Sequence, residues 1–418
     1  MSFEVALTGL NAASSNLEVI SNNIANGNTH GFKRSRAEFA DVYAASDFGV
    51  AANQTGKGVR VLNIRQQFTQ GDVKYTENSL DLAISGSGFF RVADANDGIV
   101  YTRAGMFGLD REGYIVNAAE QRLTGYVADE NGTILPTLGT LKVDTSDLAP
   151  KASKNIDLGL NLDNTSPVIN SGIPFSPDDP ASFNFTTAAT VYDSQGASHV
   201  VNMYFRNEGA NNWNAYIYMN GQPILSEAGD GATPKAALLN FDEHGKLVSV
   251  DGSPSLTILT DSFSPGPGVS PLQLTLNVAE TTHFNSPSGL NKVVVDGYTS
   301  GRLASLDIDS TGVIFGRYTN GQSMAMGQIA LANFASVEGL RQIGNTTWAE
   351  TWASGQPAVG APGTASLGNI QSSALESSNV DITKELVDMI GAQRSFQANA
   401  QVVSVADNIT QTIINMRR

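Results

Sequence analysis

Both ends of this 418-residue chain repeat apolar residues at alternating intervals of three and four, and the long middle does not. That contrast constrains the fold more than any single motif. At the start the repeat runs Phe3, Ala6, Leu10, Ala13, Leu17, Ile20, Ile24, a heptad seam narrower than the stripe of an ordinary surface helix. A helix over residues 3–24 would be about 33 Å long. Asn22, Asn23, Asn26 and Gly27 close it, because Asn and Gly accept the left-handed backbone that ends helices. At the other end Ile382, Leu386, Met389, Gln393, Phe396, Ala400, Val403, Asp407, Thr410 and Ile414 keep the same spacing, with polar residues at three of the positions. A helix over 380–417 would span about 57 Å. Ser377, Ser378 and Asn379 offer N-caps to it, and Asp381 and Glu385 favour its positive end. A second, partial stripe (Val387, Ile390, Val402, Val405, Ile409, Met416) predicts contact with more than one neighbour. Isolated helices of this size are marginal in water. The pattern therefore predicts a coiled-coil core that joins the chain's ends and then packs on other copies. Those copies would supply the core that the first helix lacks in its own chain.

Between the ends the period changes. Asp-x-x-Gly recurs as DREG (110–113), DENG (129–132), DSQG (193–196), DEHG (242–245) and DSTG (309–312). Asp can bond its own backbone and Gly can take a positive φ, so each reads as a tight turn. Short β-rich stretches flank these turns, among them FFRVAD, VVNMYF, WNAYIYM and VIFGRY, a pattern of hairpins. The expected fold is mainly β with long α-helical termini: nested, discontinuous β domains on a terminal coiled-coil core. Loop-like stretches set the expected boundaries. A helical core takes 1–30 plus 370–418 and a connector takes 31–72. An inner β domain takes 73–145 plus 285–369, and an outer β domain takes 146–284.

Composition narrows the function. A net charge of −15 argues against a nucleic-acid partner and against an anionic membrane surface. No stretch approaches the roughly 20 apolar residues of a membrane span. There is no cysteine, which removes disulfides, thiolate nucleophiles and Cys-ligated metal. The start shows no basic n-region and its first basic residue is Lys33, so any export is expected without a cleaved signal. His30, His199, His244 and His283 lie in or beside turns and share no metal-site spacing. SGSGFF (85–90) lacks nucleophile-elbow spacing, TGKG (55–58) lacks the hydroxyl of a phosphate loop, and DIDSTG (307–312) lacks the closing Glu of a calcium loop. No catalytic residue, cofactor site or metal site is expected. Lys33, Arg34 and Arg36 form a basic cluster, read either as a solvated patch or as a contact with an acidic neighbouring subunit.

Four stretches resemble the bacterial flagellar axial proteins, the family of rod and hook subunits. GLNAASSNLEVISNNIANGNTHGFKRSRAEFADVY resembles its N-terminal signature. LDLAISGSGFFRV and YTRAGMFGLDREGYIVNAAEQRLTGY resemble the strand motifs of the rod and hook members, and LESSNVDITKELVDMIGAQRSFQANAQVV the C-terminal signature. The block at 146–284, with TVYDSQGASHVVNMYF, is similar to the outer domain of the hook members. A distal rod protein with an inserted domain and a secreted adhesin are the alternatives. The resemblance implies a helical homopolymer outside the cell, a flexible joint passing torque from rod to filament. It implies contact with rod, cap and hook–filament junction proteins and passage through the flagellar export apparatus. Phe3, Leu10, Leu17, Ile20, Ile24, Leu386, Met389, Phe396, Val403, Ile409 and Ile414 would carry assembly of the core helices. Asn22, Asn23, Asn26, Gly31 and Phe32 would form the turn that leads out to the outer layers.

Overall fold

A computed structural model describes residues 2–42, 56–94, 96, 98–170, 172–226 and 234–416. The chain divides into two compact units. One comprises Met1–Thr145, Ser305–Arg317 and Ser323–Arg418, and the other Ser146–Ala304 with Tyr318–Gln322.

The first unit carries both helices, α1 (Ser2–Ala25) and α2 (Ile382–Met416). Between α1 and the body lies an antiparallel hairpin, β1 (Ser35–Asp41) with β2 (Val59–Gln66). The body is a mainly antiparallel sheet in which strands 323–329, 122–128, 89–93, 99–102, 347–349 and 341–344 lie side by side. Aromatic rings fill its core edge to face. Phe89 meets Phe68 and Trp348 at 5.7 Å, and Tyr101 meets Phe334 at 4.8 Å. T-shaped geometry places the positive ring edge on a negative ring face, adding to the area these side chains bury.

The second unit is a two-sheet β sandwich. Five antiparallel strands, 185–192, 198–209, 212–219, 237–241 and 247–250, make one sheet with a short edge strand. Strands 257–259, 275–277, 155–161 and 289–295 make the other. Their inward side chains share one core, with Trp213, Leu158, Val201, Phe205 and Leu276 almost wholly buried. This unit extends further than the turn-rich stretch at 280–291 predicts. Strand 289–295 pairs with 155–161 from Gly289 to Val295. The Asp296 carboxylate then accepts the backbone N–H groups of Lys154 (2.8 Å) and Asn155 (3.0 Å). Residues 285–304 thus belong with the outer block and not with the inner one.

One chemical device makes five of the hairpin turns. Asp110, Asp129, Asp193, Asp242 and Asp309 each accept, through Oδ1, the N–H groups two and four residues on, at 2.7–3.0 Å. The glycine of each Asp-x-x-Gly sits at φ between +74° and +86°, where a Cβ would be strained. All five Asp-x-x-Gly stretches read as turns are such turns, whereas Asp388–Gly391, of the same spacing, lies inside α2.

Candidate functional site: the terminal helices and their junction

α1 and α2 pack antiparallel. Gly9 faces Asn399 so closely that a Cβ on Gly9 would lie 2.6 Å from its Oδ1, and Gly27 abuts Ile382 at the other end. Small residues let the backbones approach here: Ala6, Ala12, Ala13 and Ala392 are buried. By this register α1 runs out roughly opposite residue 406, so the last ~15 Å of α2 extends beyond it.

Beyond the pairing of the two ends, the sequence left the core of α1 to other copies, and in the structure the chain's own connector also packs on it. The β1–β2 hairpin of the connector folds back along the helix. Val59 N donates to Thr8 Oγ1 at 3.3 Å, and Gly58 has no room for a Cβ against the same side chain. Of the predicted seam, Ala6, Ala13 and Ile20 are buried, Leu10, Leu17 and Ile24 are half-buried, and Phe3 is exposed. On α2, Met389, Phe396, Ala400 and Val403 are half-buried, whereas Leu386, Ile409 and Ile414 are exposed. The second stripe is wholly exposed: Val387, Ile390, Val402, Val405, Ile409 and Met416 all face solvent, Met416 at 82%. Soluble monomers rarely leave apolar stripes of this extent open, and where they do, the stripe marks an interaction site.

The turn after α1 works differently from the expectation. Asn22, Asn23, Asn26 and Gly27 do not adopt positive φ; the first left-handed residue is Gly31, at φ +71°. Asn22 and Asn23 lie inside the helix, and Asn26 satisfies a terminal carbonyl by donating Nδ2 to Asn22 O at 3.0 Å. Gly31 is required twice over, since a Cβ there would lie 2.5 Å from the Ala104 backbone nitrogen. Its N–H donates to Glu376 O at 2.9 Å, and Phe32 beside it is buried.

The basic cluster is not a surface patch. Lys33 is fully buried and its Nζ donates to Glu376 Oε1 at 2.6 Å and to Thr69 O at 2.8 Å. Arg103 Nη1 reaches Glu376 Oε2 at 3.1 Å, and Gly71 N reaches Oε1 at 3.0 Å. Burial pulls both the Lys33 ammonium and the Arg103 guanidinium below their ordinary pKa values, against the opposing pull of Glu376. Arg34 Nε pairs with the buried Glu385 Oε1 of α2 at 2.9 Å. Only Arg36 of the cluster is exposed. Burying a lone cation is prohibitive, and carboxylates 343 and 351 positions away make it tolerable here.

Asn379 is not the N-cap of α2. It accepts Arg34 N at 2.7 Å and donates to Gln67 O at 2.7 Å. Asp381 caps the helix, accepting Lys384 N at 3.1 Å. Asn23 completes the junction, donating to Ser35 O and to Glu385 Oε2 and accepting Ser35 N at 2.9 Å. Both helices are therefore tied to the connector by directional bonds, while the outer face of α2 stays apolar and open.

This organisation has relatives. Residues 3–33 match the family described as flagella basal body rod protein, and 371–416 the flagellar basal body rod FlgEFG protein C-terminal family. Residues 83–155 match the flagellar hook protein FlgE/F/G D1 domain, and 161–298 the flagellar basal body protein FlaE D2 domain. The flagellar hook protein FlgE of Salmonella typhimurium is 40% identical over 426 residues, covering all of both chains. The chain belongs to the flagellar hook protein family. The Escherichia coli hook protein is 38% identical over 425 residues, again covering all of both chains. The crystal structure of the hook protein FlgE2 of Helicobacter pylori matches with a TM-score of 0.54 at 16% identity, covering 73% of this chain and all of that one. That last likeness is one of fold. Within the family frame, the two helices come from the segments that match the rod-type families, and most of the sandwich from the segment that matches the D2 family.

Proposed function

We propose that this chain is the structural subunit of the flagellar hook, copies of which add into an open helical tube outside the cell. Full-length similarity to hook proteins supports this over a rod protein with an insertion. The single observation that carries the assembly reading is the exposed stripe of α2, from Leu386 to Met416. A heterologous contact that does not close on itself generates an open helix of subunits. Neighbouring copies would cover Val387, Ile390, Val402, Val405 and Ile409, together with Phe3, Val5 and Leu7 of α1. Arg36 remains available to meet an acidic neighbour. Rod, cap and junction proteins would contact the ends of the tube, and the subunit would reach it through the export apparatus.

The tube bends while its core holds if the contacts of the outer units are small, polar and exchangeable and those of the helices are apolar and persistent. Removing residues 2–25, or changing Leu386→Asp, should abolish polymers seen by electron microscopy and sedimentation. Calorimetric melting of the second unit should be unchanged. Tubes formed by either variant would defeat the reading.

A further inference from the structure

Trp352 is 100% exposed. It is held out on a rigid four-residue turn. Thr351 N donates to Ser354 Oγ at 2.9 Å, Ser354 Oγ donates back to Thr351 O at 2.8 Å, and Thr351 Oγ1 anchors the turn to Gly339 O at 2.6 Å. Ser354 is wholly buried, and Gly339 lies too close to the Ala353 backbone to carry a side chain. A large apolar ring presented on a fixed backbone loses little entropy when it docks, the usual profile of a binding anchor.

The matching hole is at the other end of the same hairpin. A recess of about 300 Å³ is lined by Thr102, Ala104, Met106, Ala118, Asn345 and Thr346. That volume is at the lower end of what a ligand site needs (~300–1,000 Å³) and suits one aromatic side chain. Met106, 44% exposed, supplies an adaptable sulfur for an aromatic ring. Its rim is strained: Asn345 and Thr346 sit at φ +49° and +54°, and Glu120 in the loop on the other side at +59°. A β-branched residue in the left-handed region is rare, and such strain concentrates where a surface must hold a set shape for a partner. Strand 347–349 separates the two features. The 345–346 turn is at its start and Trp352 lies beyond its end, about 20 Å away at most. A ring at one end and a recess at the other cannot meet within one copy, but they can meet between successive copies in a row.

We infer that Trp352 of one copy seats in the 102–106/118/345–346 recess of the next, forming a head-to-tail contact between first units along the tube. The inference rests on the hook reading. One tryptophan buries at most about 250 Å², far below the ~1,000 Å² that a stable pair needs. The contact is therefore silent between free monomers and forms only in continuity with the helix-mediated assembly. A contact that small is also one that copies can release and remake as the tube bends.

The chain has no cysteine, so single cysteines can be placed at will. Full-length chains carrying Ala353→Cys and Ala119→Cys, mixed in equal amounts and polymerised, should cross-link to dimers with a short bismaleimide. Either variant alone should not, and adding Trp352→Ala to the first should remove the product. Trp352→Ala should raise the critical concentration for assembly at least about tenfold, or ~1.4 kcal/mol, with unit melting unchanged. Trp352→Phe should retain most of the wild-type value. Because Trp213 and Trp348 are buried, iodide quenching reports on Trp352, which should be accessible in monomers and protected in polymers. Polymers that form normally yet show no 353–119 cross-link, or an unchanged critical concentration for Trp352→Ala, overturn the inference and leave the hook reading standing. Failure of the unmodified chain to polymerise overturns both.

Discussion

Glu376 is the residue on which the junction should depend most. Its carboxylate is fully buried and serves Lys33 at 2.6 Å, Arg103 at 3.1 Å and the Gly71 N–H at 3.0 Å. Changing Glu376→Ala strands two buried cations. Removing one partner of a buried pair costs about 3–5 kcal/mol. Two cations share this carboxylate, which argues for the upper end. Two escapes lower the figure: Arg103 keeps its bond to Gly86 O at 2.7 Å, and Lys33, already pulled below its ordinary pKa by burial, can shed its proton. A net loss of about 3–4 kcal/mol remains. For a unit of this size 1 kcal/mol moves Tm by roughly 2–4 °C, so the first unit should melt roughly 6–16 °C earlier. Differential scanning calorimetry of the whole chain contains its own control, since the second unit carries none of these groups and should melt where it did. The double variant Lys33→Met, Glu376→Gln should recover part of the loss by removing one stranded charge. A loss below about 1 kcal/mol for Glu376→Ala, the value of a surface ion pair, would refute the claim that this network fixes the junction.

Other expectations follow from the same geometry. Gly31→Ala should cost at least ~2 kcal/mol in urea unfolding of the first unit, because it combines a left-handed φ with a clash against the Ala104 backbone. Gly31→Asn should not rescue it, since Asn relieves only the first. The second unit should weaken in acid in two steps. Burial holds His283 below its ordinary pKa, against the attraction of Asp163. The unfolded chain therefore binds the extra proton first, and stability present above about pH 6.5 is lost as the pH falls through the lowered value. Asp242, held down by the Lys246 and His244 N–H groups, and Asp193, where burial is outweighed by bonds from His199, Gln195 and Ala197, follow the same sign below about pH 4. Calorimetry from pH 3 to 8 checks both, and His283→Phe should flatten the upper step only.

The helices, the five aspartate turns and the β character of the middle were legible because each rests on residues within one turn or one strand. Each of those five turns closes within five consecutive residues, from the Asp carboxylate to the N–H four positions on. The junction was not legible, because its bonds join Lys33 to Glu376, Arg34 to Glu385 and Asn379 to Gln67. No local pattern distinguishes a buried lysine from a solvated one when its partner is more than 300 positions away. Ser377, Ser378 and Asn379 resemble caps by type, yet Asp381, two positions further on, takes that role, and this frees Asn379 to bind the connector. The outer boundary failed for a related reason. A Ser/Pro/Asn-rich stretch marks a turn, but it does not say whether the next strand returns to the same sheet, and 289–295 does. Trp352 carried no signal in sequence, where one tryptophan looks like any other core residue; only its complete exposure sets it apart.

The division between polar and apolar contacts in the first unit has a mechanical consequence. Apolar burial is nearly non-directional, so a stripe of Leu, Ile and Val can stay covered while a neighbour slides by a few ångströms. A buried carboxylate between two cations has one good geometry, and displacement exposes it to the full desolvation penalty. The chain uses the second kind of contact inside itself, at Glu376 and Glu385, where the helices meet the connector. It leaves the first kind on the outer face of α2. A subunit built this way keeps its helices at a fixed orientation to its own connector and yields, if anywhere, at the surfaces it offers to other copies. The opposite arrangement, charged pairs outside and a greasy hinge inside, would let each subunit flex internally and dissipate an applied torque. Weakening the internal polar contacts should therefore change stiffness as well as stability. In the Lys33→Met, Glu376→Gln variant, polymers should still form, since the α2 stripe is untouched. Their persistence length, measured from electron micrographs, should shorten relative to the unmodified chain. Polymers of equal stiffness would mean that the junction orders the fold but does not carry load.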